Sequence, residues 1–262
     1  MIRNVMESFS LQGKVALVTG GAGLYGRQIA IALAQAGAET HMTTRSGEKL
    51  AELERSFADE GVAVTALRFD QEREESVDEL RDRIMAEHGR IDILVNNAVA
   101  RTMSSWNDPL ETFDRSMRIN ATGLFAVTRA FGDIMAERGG GSIINVGSIQ
   151  GMVGADGALY KDMGFHGFVP DYFFHKGGML NFTRFVASYY GPKNVRCNCV
   201  SPGGLASHRT PPAFIERYSE RTMLGRMAGD TDLMGSIVFL ASDASAYVTG
   251  ANLAVDGGYT AK

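Results

Sequence analysis

Cysteine is almost missing. There are two in 262 residues, Cys197 and Cys199, too few for a disulfide framework or a four-ligand zinc site. They lie two apart on what reads as a strand, so both face the same side and are expected to be small buried packing residues. Linkers are also missing: no Pro/Gly/Ser-rich stretch, charge block or internal repeat interrupts the chain. One domain spanning residues 1–262 is therefore expected. There is no basic run, and a formal net charge of -4 argues against nucleic acid or an acidic membrane surface as the main partner. No apolar span approaches the roughly 18 residues a transmembrane helix needs. The Met1 to Gln12 segment carries Arg3, Asn4, Glu7 and Ser8 without an apolar core, so it does not read as a signal peptide. A soluble, cytoplasmic protein is expected. Of the five histidines, His41 falls inside a strand and His88 and His175 in helical stretches. None has a partner at metal-ligand spacing, and no metal site is expected.

Glycine, by contrast, is plentiful, and its placement organises the chain. Val15 to Val18 is a continuously apolar run, as expected for a parallel strand buried on both faces. Gly20, Gly21, Gly23 and Gly26 follow at once. From Leu24 the pattern turns helical, with Ile29 and Leu33 on one face and Gly37 as the stop. Strand, glycine loop and helix N-terminus together form an anion site, because free N–H groups and the positive end of the helix dipole converge there. The ligand that this geometry suits best is a dinucleotide.

Strands and helices then alternate. Strands are expected at Ala38 to Thr44, Val62 to Phe69, Ile91 to Val95, Ser142 to Val146, Asn194 to Val200 and Ala251 to Val255. Helices are expected at Gly47 to Glu60, Asp78 to His88, Leu110 to Glu137, Tyr172 to Tyr190, Ala213 to Met223 and Asp232 to Leu240. This alternation predicts an α/β fold, a doubly wound parallel sheet of Rossmann type in three αβα layers. In such sheets ligands bind beyond the carboxyl ends of the strands, so the residues just after each strand are the candidates.

Those ends carry Gly20 to Gly26, Arg45, Asp70, Asn96-Asn97-Ala98, Ser148 and Pro202-Gly203. Asn120, Tyr172 with Lys176, and the terminal Asp256-Gly257-Gly258 complete an ordered set. It resembles the short-chain dehydrogenase/reductase family over essentially the whole chain. The resemblance implies a nicotinamide-dependent oxidoreductase. It implies cofactor contacts along Gly20, Gly21, Gly23, Leu24, Tyr25 and Gly26, at Thr44, Arg45 and Ser46, and at Asp70, Asn96 and Ala98. Further contacts are implied at Pro202, Gly203, Leu205 and Ser207, with Tyr172 and Lys176 also touching the cofactor. It further implies that Asn120 holds a water connecting the lysine to solvent.

The chemistry can be argued from the residues as well. Hydride transfer at a carbinol carbon needs a group that moves the hydroxyl proton, and a tyrosine does so if its pKa falls from about 10 toward neutrality. A fixed ammonium roughly 4 Å away supplies about the 3 to 4 kcal/mol required. Tyr172 and Lys176, four apart on a helix, share a face, and the resemblance implies that Ser148 hydrogen-bonds the substrate oxygen. A second Tyr-x-x-x-Lys, Tyr189 to Lys193, encloses Gly191-Pro192, which should end its helix.

Several positions depart from the family pattern. Leu24 stands where a glycine is usual, Val99 follows Asn-Asn-Ala, and Tyr172 comes 24 positions after Ser148, a wide gap. Tyr160 lies at the more usual distance but has Gly164 where an ammonium is needed. The extra Gly151 to Asp171 segment is expected to pack over the pocket, with Tyr160, Lys161 and His166 facing substrate. Its polar, aromatic character points to a sugar, sugar acid or sugar derivative. A 3-oxoacyl thioester reductase is the competing enzyme, and a non-catalytic dinucleotide sensor the alternative of another class. The second strand ends in Thr44-Arg45 rather than in an acid, and Glu39 lies at its other end. Because an acid there would repel a 2′-phosphate and an arginine would pair with it, NADP(H) is favoured over NAD(H). A homo-oligomer, a tetramer, is implied by the resemblance.

Overall fold

The computed structural model describes residues 4–161 and 169–262. Strand β1 (Val15–Val18) is buried at every position, and helix α1 (Leu24–Gln35) leaves directly from the glycine loop. The alternation continues through β2 (Glu39–Thr44), α2 (Leu50–Ala58), β3 (Val64–Arg68), α3 (Glu74–His88) and β4 (Ile93–Asn96). After α4 (Leu110–Met117), α5 (Leu124–Glu137) and β5 (Gly141–Val146) come a short α6 (Gly157–Tyr160), α7 (Pro170–Tyr190) and β6 (Val195–Pro202). Helices α8 (Pro212–Ser219) and α9 (Met234–Ala241) precede β7 (Asn252–Val255). The seven strands form one parallel sheet in the order β3-β2-β1-β4-β5-β6-β7. The expected doubly wound sheet is thus the observed one.

Strand alternation sends successive side chains to two cores. Ala16, Val18, Met42, Ile93, Val95 and Ile144 pack against α1 and α9. Val15, Leu17, Leu94 and Ile143 pack against α3, α5 and α7. Phe131 of α5 is fully buried in the second core, where truncation to alanine costs about 3–5 kcal/mol. Cys197 and Cys199 are buried and free, as their packing role requires.

One expected helix is really two. Between Leu110 and Glu137 the chain widens into a π-helical turn, Arg118–Gly123. A segment distant in sequence meets it there: the Gln71 amide donates to the Ile119 carbonyl (2.9 Å), an acceptor that an α-helical ladder would use. Gly123 meanwhile lies so close to Gln71 that a Cβ would stand 2.3 Å from its carbonyl oxygen. Turns of this kind are common at functional sites, and Asn120 sits inside this one. Helix α7 ends at Tyr190, just before Gly191-Pro192, so Tyr189 and Lys193 do not share a helix.

Candidate active site

The carboxyl ends of the strands open into one cleft of about 890 Å³. Gly20, Gly23, Leu24, Tyr25 and Gly26 line its floor. At Gly26 the backbone turns back on itself, and a Cβ would lie 2.3 Å from the Gly20 carbonyl oxygen. The loop is locked from β4: Thr19 Oγ1 accepts from the Asn97 and Ala98 N–H groups (both 3.0 Å), and the Asn97 amide donates to the Gly20 carbonyl (2.9 Å). Gly23 caps α1 without a side-chain bond, and the first turn carries no acid. The helix therefore presents open N–H groups to the cleft, the requirement for holding a pyrophosphate. On the opposite wall Tyr25 donates to the Gly203 carbonyl (2.8 Å), tying the loop to the end of β6.

The deep end gathers Ser148, Tyr172 and Lys176. Ser148 ends the β5 segment and is buried, its hydroxyl accepting from the Gln150 N–H at 3.1 Å. Gly151 lets that turn lie directly on α7, since a Cβ would stand 2.5 Å from the Lys176 carbonyl oxygen. Contact of the two backbones brings Ser148 beside Tyr172 and Lys176. Lys176 is 3 % exposed and donates to the Val146 carbonyl. Burial pushes its ammonium pKa down, while the neighbouring Tyr172 acts in the opposite direction. The Lys176 nitrogen lies 5.8 Å from the Tyr172 ring centre, and the Arg101 guanidinium covers the ring at 4.4 Å. Arg101 makes no ion pair among the described residues. His175, against the same ring (centroids 5.2 Å apart), is held by burial at a pKa of about 3, so it is neutral near pH 7.

Asn120 stands behind this group rather than on the cleft wall. It accepts from the Ala100 N–H (2.9 Å), and its amide donates to the Ala100 carbonyl (2.8 Å) and to Ser116 Oγ (3.0 Å). Ser116 in turn donates to buried Asp171 (2.6 Å), one residue before Tyr172. A chain of hydrogen bonds thus links the π-helical turn to the start of α7.

At the other end the wall is formed by Thr44, exposed Arg45 and Asp70. Pro202, Gly203, Leu205, Ser207 and Ala98 also line the cleft. Three expected residues are placed elsewhere. Asn96 is buried on the α5 side of the sheet, its amide donating to Thr128 (3.0 Å) and Asn145 (2.9 Å). The alternation of β4 carried the signal, because Asn96 shares its parity with Leu94, and it is Asn97 that reaches the glycine loop. Gly21 packs beneath the loop, where a Cβ would meet Met42 at 2.4 Å. Ser46 is exposed outside the cleft lining. Arg101, in the segment that follows the fourth strand, lines the cleft, and Gln71 and Tyr218 do so without having been expected there.

The described part of the extra segment is built in. Leu159 and Tyr160 join Phe214, Tyr218 and Met227 in a third small core, Asp156 pairs with Arg221, and Val153, Asp156, Leu159 and Tyr160 line the cleft. Tyr160 accepts from Gln150 Nε2 (2.8 Å), and burial pushes its pKa up to about 12, away from acid–base use near neutrality. Lys161 is exposed, and Arg217 donates to its carbonyl at 2.7 Å. His166 lies outside the described residues, as do Asp162 and Phe165. Trp106 is 79 % exposed and off the cleft wall.

Comparison with known proteins agrees with this geometry. A family model described as enoyl-(acyl carrier protein) reductase matches residues 23–260. The 2-dehydro-3-deoxy-D-gluconate 5-dehydrogenase of Escherichia coli (strain K12) is 35 % identical over 98 % of this chain and 100 % of its own. D-threitol dehydrogenase of Mycolicibacterium smegmatis is 34 % identical, with 97 % and 95 % covered. Among solved structures, a gluconate 5-dehydrogenase from Burkholderia cenocepacia J2315 in complex with NADP and tartrate superposes with a TM-score of 0.87 at 32 % identity, covering 99 % of this chain and 100 % of that one. With glycine loop, cleft and Ser148, Tyr172 and Lys176 in place, the chain belongs to the short-chain dehydrogenase/reductase family, nicotinamide dinucleotide oxidoreductases that interconvert CH–OH and carbonyl groups.

Proposed function

We propose that the protein is an NADP(H)-preferring dehydrogenase or reductase of a polyhydroxylated substrate, a sugar acid foremost. The observation that carries this reading is the Tyr172 ring in contact with both Lys176 and the Arg101 guanidinium, which makes no ion pair among the described residues. One cation serves the proton-transferring tyrosine, and the other faces the space where a substrate carboxylate would sit. The relatives named for sugar acids and polyols support the substrate class. The dinucleotide fits the residues present: the uncapped α1 N-terminus takes the pyrophosphate, Asp70 and Ala98 flank the adenosine side, and Pro202, Gly203, Leu205 and Ser207 flank the nicotinamide. When bound, the nicotinamide supplies or accepts the hydride. Tyr172 moves the hydroxyl proton, Lys176 favours the phenolate by its charge, and Ser148 orients the reacting oxygen. Asn120 holds the Ala100 backbone next to Arg101. Arg45 recognises the 2′-phosphate, since no acid stands at the end of β2.

A panel of sugar acids, polyols and 3-oxoacyl thioesters, offered with each cofactor and followed by absorbance of the reduced nicotinamide, tests the reading. Turnover highest on a sugar acid is expected, and preference for the thioesters would replace it with the acyl reductase. Purified protein that binds a cofactor but turns over nothing would favour a sensor. Among the described residues no helix is long and apolar enough to cross a membrane, and a cytoplasmic location fits the reading. The family expectation of a tetramer is supported by Phe125 on α5 and Phe185 and Tyr189 on α7, which are 45 to 61 % exposed. Light scattering that shows a monomer at micromolar concentration would overturn it.

A further inference from the structure

At the end of the sheet away from the cleft, folding joins residues that sequence spacing kept apart. Glu39 and His41 stand two apart on β2, on the face covered by α3, and Glu87 and His88 close α3. One ligand atom from each lies within 4.8 Å of the others. The Nε2 atoms of His41 and His88 approach to 2.7 Å, with ring centroids 4.7 Å apart, so the two nitrogens face each other nearly head to head. Glu87 Oε1 lies 3.6 Å from His88 Nε2, while its other oxygen accepts from Arg83 at 3.2 Å. Glu39 Oε2 lies 3.5 Å from His88 Nδ1.

We propose that His41 Nε2, His88 Nε2 and the Glu87 carboxylate bind a divalent transition-metal ion of the zinc class, with Glu39 orienting His88. Two imidazoles and a carboxylate are the donor set such ions prefer. A carboxylate on the far nitrogen of a ligating histidine is the usual outer support, because it fixes the tautomer and strengthens the donor. The α3 C-terminus adds its negative dipole end. Metal–nitrogen bonds of about 2.0–2.1 Å in a tetrahedral site place two nitrogens about 3.4 Å apart. The rings must therefore part by less than about 1 Å, and the movement falls to His88, since His41 is fully buried. Glu39 and Glu87 are partly exposed and open the site to solvent. The ion would tie β2 to α3, and its part is structural because Tyr172 and the glycine loop lie at the opposite end of the sheet.

The test uses the full-length chain without an affinity tag, stripped by a chelator and titrated with zinc(II) against a chromophoric competitor, and separately with cobalt(II). One ion per chain is expected, with the visible bands of tetrahedral cobalt and a rise in Tm on zinc addition, as selective binding to the folded state requires. His88→Ala should weaken zinc at least tenfold and abolish the cobalt bands, and Glu87→Gln should weaken zinc several-fold. Hydride-transfer turnover should stay within twofold of wild type in both, which shows that they fold. Zinc binding by wild type no tighter than by His88→Ala, or cobalt bands that persist in that variant, would overturn the proposal.

Discussion

The two ends of the cleft are built in opposite ways. At the deep end the supporting groups are held: Lys176 is buried and donates to the Val146 carbonyl, Ser148 caps its own turn, and the Asn120-Ser116-Asp171 chain fixes the start of α7. At the shallow end Arg45 is exposed and makes no ion pair among the described residues. Reaction geometry tolerates little displacement, so the catalytic group is over-determined by packing. In the proposed reading cofactor choice rests on one exposed side chain meeting a charged group, and needs no such framework. Substitutions at the deep end should therefore reach turnover, and those at the shallow end should reach only the discrimination between cofactors.

The sharpest way to break that contrast is Tyr172→Phe. Removing the proton-transferring hydroxyl should lower kcat by about 10²–10⁴-fold, while NADPH still binds, as measured by fluorescence titration. Near-normal turnover would sink the assignment and leave the deep end an ordinary buried corner.

Gly26→Ala probes the floor that both ends share. The added Cβ would stand 2.3 Å from the Gly20 oxygen and 2.9 Å from the Gly21 Cα, both backbone atoms, so the loop must shift. Overpacking of this kind costs about 1–3 kcal/mol of stability, and NADPH and NADH should weaken together. Tm and paired titrations check it, and loss of one cofactor alone would contradict the shared floor.

Arg45→Ala should separate the cofactors. A hydrogen bond to a charged group is worth about 1.5–3 kcal/mol, and that loss should fall on NADPH while NADH binding barely changes. Tighter NADH binding by the wild type, or equal losses for both, would remove the 2′-phosphate role and with it the contrast between the ends.

The sheet, the glycine loop and the pairing of Tyr172 with Lys176 were legible because local patterns dictate them: period-2 runs, a glycine series before a helix, and a four-residue helical spacing. What escaped was decided by contacts distant in sequence. The π-helical turn depends on Gln71 reaching the Ile119 carbonyl, which no periodicity between Leu110 and Glu137 could reveal. Asn97, not Asn96, reaches the loop because of strand parity. His41 and His88 meet only because α3 returns alongside β2, so counting residues between histidines missed their pairing.

The smallest effect is expected where the extra segment closes on α8. Asp156 pairs with Arg221 and caps α6 through the Ala158 N–H at 3.0 Å. Because Leu159 and Tyr160 hang from that cap into the cleft lining, losing it should loosen the substrate wall but not the distant glycine loop. Asp156→Asn keeps the shape and removes the charge. An ion pair this exposed is worth about 0–1 kcal/mol, so the substrate KM should rise at most several-fold, with kcat and NADPH affinity unchanged. The Arg221 guanidinium holds the Asp156 carboxyl below its ordinary value. A depressed carboxylate contributes above its unfolded pKa and is lost as pH falls through the folded one, so the clasp is fully charged at neutral pH and fails only in acid. The wild-type KM advantage over Asp156→Asn should accordingly be constant between pH 6 and 8, as initial rates at several pH values would show. A KM equal to wild type throughout would mean that the third small core alone holds the wall.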